Sequence, residues 1–189
     1  MNKLIFVLIM ILAISAQADE LKLDEAYSIN FQRTESFTPS IIHDPADQFR
    51  ASLLVIHHKT DGSEDFYAKV KFLKFDSEKE MQEIDSAMHN YVKTKCSEMV
   101  NTSIENEVRV NALPGDALGY YCTLTDKSVD TVDAKGPGKY RFITFSAVRN
   151  SQYVYMAVAF SNSTDNQLFK DFLLLLPSVR IVEVPPVEP

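Results

Sequence analysis

Few residues in this sequence could bind a metal ion or act as an acid or base, and they are scattered. His57 and His58 are adjacent, and on a strand they would face opposite sides, so they could not chelate one ion together. One of them could join His43 or Asp44 from a neighbouring strand. His43, His57 and His58 are therefore the candidate metal ligands, although a metal site usually needs three or four converging ligands. His89 lies on the flank of a predicted helix, where we expect it at the surface.

The common catalytic and cofactor-binding signatures do not occur in the sequence. It has no GxSxG, HExxH, CxxC, P-loop or dinucleotide-binding motif, and only five glycines. We therefore expect a protein that uses no cofactor and is not an enzyme. A hydrolase or metal enzyme is the alternative, and it would need His57 or His58 within bonding reach of an Asp or Glu in a cleft.

The two cysteines, Cys96 and Cys122, predict one disulfide bond. Cys96 lies at the edge of an apolar stripe on a predicted helix. Cys122 lies on a predicted strand, on the same face as Leu118, Tyr120 and Leu124. Both sulfurs should face one core, and exported chains seldom keep a pair of thiols reduced. The alternative is two separate buried thiols.

Residues 1–18 have the pattern of a signal peptide. A cationic start at Lys3 is followed by an unbroken apolar run over residues 4–14 and by Ala-Gln-Ala at residues 16–18, which fits the small-x-small rule before a cleavage site. A transmembrane anchor would need about 20 apolar residues, so we expect cleavage after Ala18 and no membrane span in the mature chain. The mature chain is therefore predicted to be periplasmic or secreted.

Composition and charge narrow the class of protein further. The chain has 189 residues, 46% of them hydrophobic, and a formal net charge of −7. This is enough for one globular domain with a substantial core, which we place at residues 19–184, before a proline-rich tail at 185–189. The acidic balance disfavours nucleic acid as a partner, because phosphates attract clustered Lys and Arg.

The spacing of apolar residues predicts two helices among many strands. Residues 77–100 repeat apolar side chains at intervals of three and four, and a second helix begins after Thr164, with Gln167 in the capping-box position, and ends at Pro177. Short loops between strands favour antiparallel pairing, so the predicted fold class is α+β: a single domain with a largely antiparallel sheet and both helices packed on it. The predicted strands cover residues 51–58, 66–73, 104–110, 117–125, 140–148, 153–160 and 179–184.

Three tyrosines form the candidate interaction surface. Tyr153 and Tyr155 share one face of their strand, and Tyr121 faces away from Cys122 on another. Tyrosine suits a side chain that is partly buried and partly in contact with a partner. An exposed patch of Tyr121, Tyr153 and Tyr155 would bind a protein, whereas a second layer of structure on that face would bury it.

A small basic group lies on one of the predicted strands. Lys69, Lys71 and Lys74 stand beside aromatic residues. They could hold an acidic partner, or they could belong to a solvated strand face that protects a sheet edge.

The order of elements over residues 25–184 resembles the PsbP-like or DcrB-like domains. The closing pattern Leu168-Phe169-x-x-Phe172, followed by Pro177-Ser178-Val179-Arg180-Ile181, is part of that resemblance. In these domains helices flank an antiparallel sheet, and the members tend to be accessory or binding proteins without a shared active site. The resemblance implies a role in protein interaction and assigns no functional residue.

We therefore expect an exported accessory protein that binds another exported or envelope protein. A carrier of a small apolar ligand is an alternative, and it would need a cavity of roughly 300 Å³ or more between the sheet and the helices.

Overall fold

The computed structural model describes residues 18–22, 27–32, 36–43, 51–58, 64–75, 83–115, 118–129 and 140–184. Residues 1–17 of the predicted signal peptide and the tail at 185–189 lie outside these ranges, as does Asp44. The described elements are, in chain order, β1 (Ala18–Lys22), β2 (Tyr27–Gln32), β3 (Thr38–His43), β4 (Ala51–His58), β5 (Glu64–Lys74), α1 (Ile84–Met99), a 3₁₀ turn (Val100–Thr102), β6 (Asn111–Ala112), β7 (Gly119–Thr125), β8 (Phe142–Asn150), β9 (Tyr153–Ser161), α2 (Gln167–Ser178) and β10 (Arg180–Glu183).

The strands form two antiparallel sheets, and the predicted α+β class is confirmed. The large sheet has seven strands in the order β3-β4-β5-β9-β8-β7-β6, and the small sheet has the order β1-β2-β10. The sequence did not predict the small sheet. Its central strand β2 pairs with β1, its neighbour in the chain, and with β10, which follows the last helix.

Helix α1 packs on one face of the large sheet and carries the predicted apolar stripe. Its buried residues Ile84, Met88, Val92 and Cys96 recur every four positions, so they form one line along the helix. They contact Cys122 and neighbouring apolar side chains from β7, β8 and β9. The first part of the predicted helix, residues 77–82, lies outside the described residues.

Helix α2 and the small sheet cover the opposite face of the large sheet. Phe169, Phe172 and Leu176 on α2 and Ile29 on β2 belong to a core that includes Phe66 of β5. Of the four consecutive leucines in α2, only Leu174 is exposed. The molecule therefore has three layers, with a separate apolar core on each side of the large sheet.

Two local predictions are wrong. Residues 104–110 do not form a strand, because their side chains do not share one buried face: Ile104 is 59% exposed while Val108 packs beneath α1. Thr164 is also not the N-cap residue of α2. Asn166 is the N-cap, and its side-chain oxygen accepts a hydrogen bond from the backbone N–H of Phe169 at 2.9 Å.

Candidate functional site

The predicted cysteine pair forms a disulfide bond between α1 and β7. The Cα atoms of Cys96 and Cys122 lie 6.6 Å apart, within the range that disulfides span. Both cysteines are buried beside Val92, Leu124 and Ala147 in the core under α1. The bond is therefore a structural one and is not accessible to a substrate.

The predicted surface of exposed tyrosines is wrong. Tyr155 is 1% and Tyr153 is 8% exposed, and Tyr121 is half-buried against the same core. The side chains do share the face that the sequence indicated, but α2 and the small sheet cover that face. Of the two alternatives that the sequence left open, the structure shows the second layer.

The two buried tyrosines instead line a cavity at one end of the large sheet. Its volume is about 300 Å³, and it lies where the turn between β8 and β9 meets the junction of α2 and β10. Burial raises the pKa of Tyr155 to about 12, although the nearby charge of Arg180 acts in the opposite direction. We call this the hairpin cavity, and its lining includes Asn150, Gln152, Tyr153, Tyr155, Arg180 and Ile181.

The three candidate metal ligands do not converge. His43 pairs with Ala51 at one end of β4, whereas His57 lies at the other end, so about 20 Å of strand separates them. The expected link between His43 and His57 is therefore wrong, because the register of β3 and β4 keeps them apart. His58 is the last residue of β4, directly after His57. Within the described ranges, no group of three or more His, Cys, Asp or Glu residues could hold a metal ion.

His57 has a carboxylate partner that the sequence did not predict. The register between β4 and β5 shifts after His57, and this leaves Asp65 as an additional residue on β5. The Nδ1 atom of His57 lies 2.5 Å from a carboxylate oxygen of Asp65. Neither residue lines the hairpin cavity or the two other cavities described below. The pair thus meets one requirement of the hydrolase alternative, and it lies outside these three cavities.

His89 contacts Tyr120 rather than standing free at the surface. The ring centroids lie 5.2 Å apart in an edge-to-face arrangement, and the histidine is half-buried. The expectation that His89 is a surface residue is therefore only partly right.

Two further cavities differ in chemistry. An apolar cavity of about 150 Å³ lies between α1 and the large sheet, with Phe75, Tyr91 and Met156 in its lining. This volume is half of what the carrier alternative needs. A polar groove of about 610 Å³ lies beside Glu105, Arg109 and Thr123 at the β7 edge, and its lining is unsuited to an apolar ligand.

A further candidate binding surface is the part of the large sheet that α1, among the described elements, does not contact. Six half-buried side chains from three neighbouring strands form it, and they belong to neither of the two buried cores. Cross-strand pairing places them side by side, with Tyr67 between Ile56 and Phe160 and Lys69 between Leu54 and Val158. We call this surface the open sheet face; it consists of Leu54, Ile56, Tyr67, Lys69, Val158 and Phe160.

Aromatic contacts and positive charge characterise the open sheet face. The ring of Phe160 lies 6.1 Å from that of Tyr67 and 5.9 Å from that of Tyr140. Lys69 lies two positions after Tyr67 on β5, and Lys71 follows on the same face of that strand. No carboxylate alternates onto this face between residues 52 and 56 of β4, 67 and 73 of β5, or 154 and 160 of β9. Asp65, which is paired with His57, lies just beyond the Tyr67 end.

The sequence indicated part of this surface and missed the rest. The alternation of Tyr67, Lys69 and Lys71 was visible on β5, and it produced the prediction of a basic group beside aromatic residues. The contributions of β4 and β9 depend on strand order, since β5 pairs with β9 across a long stretch of chain. No local signal in the sequence predicts that pairing.

Comparisons with known proteins identify no family. No protein-family model matches the chain, and no curated protein is detectably similar to it. Among the described residues, no helix has the length and apolar character needed to cross a membrane.

Proposed function

We propose that this chain is an exported accessory protein that binds another exported or envelope protein through the open sheet face. The observation that carries the proposal is a half-buried, largely apolar surface whose charged residue is Lys69. In a chain with a net charge of −7, a locally basic and aromatic surface differs from the overall charge balance. Aromatic residues are enriched where proteins bind one another, and contiguous apolar side chains that reach solvent favour an interaction site.

The charge of the surface indicates the chemistry of the partner. Lys69 would attract a carboxylate, and the apolar side chains of Ile56, Tyr67 and Phe160 would pack against aliphatic or aromatic side chains. The partner is therefore a protein that presents an apolar segment flanked by acidic residues. Electrostatic attraction of this kind raises the association rate and fixes the orientation of the partner.

Export rests on two further observations. The disulfide bond between Cys96 and Cys122 is typical of an oxidising compartment, and residues 1–18 have the pattern of a signal peptide. The periplasm and the extracellular space both suit these observations. Membership of the PsbP-like or DcrB-like domains stays a prediction that agrees with a binding role.

The carrier and enzyme alternatives have less support. The apolar cavity under α1 holds about 150 Å³, and the His57–Asp65 pair lies outside the three cavities.

Site-specific photocrosslinking in the native host tests the proposal. A photoreactive amino acid replaces Tyr67 or Phe160 in one set of cells, and it replaces Leu174 on α2 as the control, because Leu174 is 53% exposed on the opposite side of the large sheet. We expect the same acidic protein to crosslink at Tyr67 and Phe160 and not at Leu174. Mass spectrometry identifies the crosslinked protein and shows where the mature chain begins.

A charge reversal then tests the electrostatic part with the purified partner. Lys69→Glu should weaken binding by roughly tenfold, because it places like charges opposite one another. Lys170→Glu on α2 is the matched control and should leave binding unchanged. The proposal fails if no protein crosslinks at Tyr67 and Phe160, if the crosslinked protein is a second copy of this chain, or if Lys69→Glu binds as well as the control.

A further inference from the structure

The hairpin cavity brings one guanidinium group and two tyrosines together at a site that the proposed function does not use. It lies on the side of the large sheet opposite to the open sheet face, and its volume of about 300 Å³ is at the lower limit for a small-molecule site. Among the described residues, its lining includes an arginine and no carboxylate. The cavity therefore offers positive charge and hydrogen-bond donors to a ligand.

Backbone carbonyl groups hold Arg180 in place beside the cavity. Its Nη1 atom donates to the carbonyl oxygens of Pro177 at 2.6 Å and Val179 at 2.8 Å. The side-chain amide of Asn150 donates to the same two oxygens, at 3.4 and 2.6 Å. These bonds join the β8–β9 hairpin to the junction of α2 and β10. Because a guanidinium has five N–H donors, they leave donors on Nε and Nη2 that can bind a ligand.

Tyr155 supplies a second donor that stays protonated. Its side chain is buried, and a tyrosine hydroxyl is protonated at physiological pH even at its ordinary pKa of 10.0. The hydroxyl can donate its proton to a ligand acceptor. Tyr153 lies two positions earlier on the same face of β9 and lines the same cavity.

We propose that the hairpin cavity binds a carboxylate group, with Arg180 as its charge partner and Tyr155 as a hydrogen-bond donor. The planar fork of an arginine matches the two oxygens of a carboxylate, and a bond to a charged acceptor is stronger than one between neutral groups. The carboxylate can belong to a small organic acid or to the C-terminus of a peptide. This inference does not depend on the function proposed for the open sheet face.

NMR titration of the mature protein tests the inference. The probes are acetate, succinate, and a short peptide prepared with either a free or an amidated C-terminus. We expect saturable chemical-shift changes at the backbone amides of Ser151 and Gln152 and at the Nε–H of Arg180. Arg180→Gln should weaken binding by roughly tenfold or more, because it removes a charged hydrogen-bond donor. Arg141→Gln is the matched control, because Arg141 lies at the opposite end of β8 and should leave binding unchanged.

Tyr155→Phe keeps the ring and removes the hydroxyl. It therefore tests the hydrogen bond in a variant that keeps the positive charge of Arg180. It should weaken binding by a smaller factor than Arg180→Gln does. Tighter binding of the free peptide than of its amide identifies a peptide terminus as the ligand, whereas tighter binding of succinate identifies a small acid, and either result supports the proposal. The proposal is overturned if none of the probes gives saturable shifts, if folded Arg180→Gln binds them as well as Arg141→Gln does, or if inorganic phosphate binds more tightly than every carboxylate.

Discussion

The carboxylate of Glu105 accepts two hydrogen bonds from Thr125, one from the backbone N–H at 2.8 Å and one from the hydroxyl at 2.6 Å. The backbone N–H of Ile104 also donates to the carbonyl oxygen of Thr125. Strand β6 pairs with β7 only at Tyr120 and Tyr121, so the segment around Glu105 provides the hydrogen-bond partners that a longer edge strand would have supplied. This arrangement satisfies the end of β7 on the side that faces away from β8.

We expect Glu105→Gln to lower the free energy of unfolding at pH 7 by about 1–2 kcal/mol, because it weakens bonds to a charged acceptor. Burial acts to raise the pKa of Glu105, but the bonds from Thr125 and Ser103 prevail and lower it. A lowered pKa in the folded state means that this stabilisation is present above the unfolded-state pKa of about 4.5 and is lost as the pH falls through the folded pKa. Urea unfolding at pH 7 and pH 3 measures both effects. Glu107→Gln is the control, since its exposed pair with Arg109 contributes little, and equal losses in both variants would contradict the prediction.

The disulfide bond should account for a large share of the stability. It joins residues 26 positions apart, and closing a loop of this length is worth about 3.5 kcal/mol in the chain-entropy model. We expect the double variant Cys96→Ser, Cys122→Ser to unfold at a correspondingly lower denaturant concentration. A reductant should shift the unfolding of the native protein towards that of the variant and leave the variant unchanged. If the native protein and the variant unfold at the same midpoint in oxidising buffer, the prediction is wrong.

The cap of α2 can be tested with two neighbouring substitutions. Asn166→Ala removes the side chain that accepts a hydrogen bond from Phe169 N–H, so it should cost about 1 kcal/mol of stability. Thr164→Ala lies two positions earlier and should cost much less, because Thr164 is not the N-cap residue. Chemical denaturation monitored by circular dichroism compares the two. A larger loss for Thr164→Ala would support the cap that the sequence pattern predicted.

Tyr155 should make the protein sensitive to alkaline pH. Its pKa rises from 10.0 to about 12 in the folded protein, so the folded state keeps a proton that the unfolded state loses. The stabilisation is therefore complete below pH 10 and declines as the pH rises towards about 12. We expect the unfolding free energy of Tyr155→Phe to vary less between these pH values than that of the native protein. Identical pH profiles for the two proteins would show that Tyr155 titrates normally.

The helices and the longer strands could be predicted from the sequence because they depend on local periodicity. The four-residue spacing from Ile84 to Cys96 identified the face of α1, and alternation in β9 separated Val154 from Tyr155. The disulfide followed from the same patterns, since each cysteine lies on the apolar side of its element. These predictions needed only one segment at a time.

The candidate sites could not be predicted in the same way, because they depend on how distant segments pack. Alternation indicates which residues share a face of a strand, but it does not indicate which face another layer covers. Tyr153 and Tyr155 were therefore assigned to a surface although α2 and the small sheet bury them. The register of β3 against β4 likewise determines that His43 and His57 lie far apart. Arg180 reaches the hairpin cavity only because β10 pairs with β2.

The small sheet also constrains the order in which this protein can fold. Strand β2 precedes β10 by most of the described fold, so one side of β2 stays unpaired until residues 180–183 have been made. Contacts between such distant segments form slowly. A fold that depends on such a contact is therefore completed late.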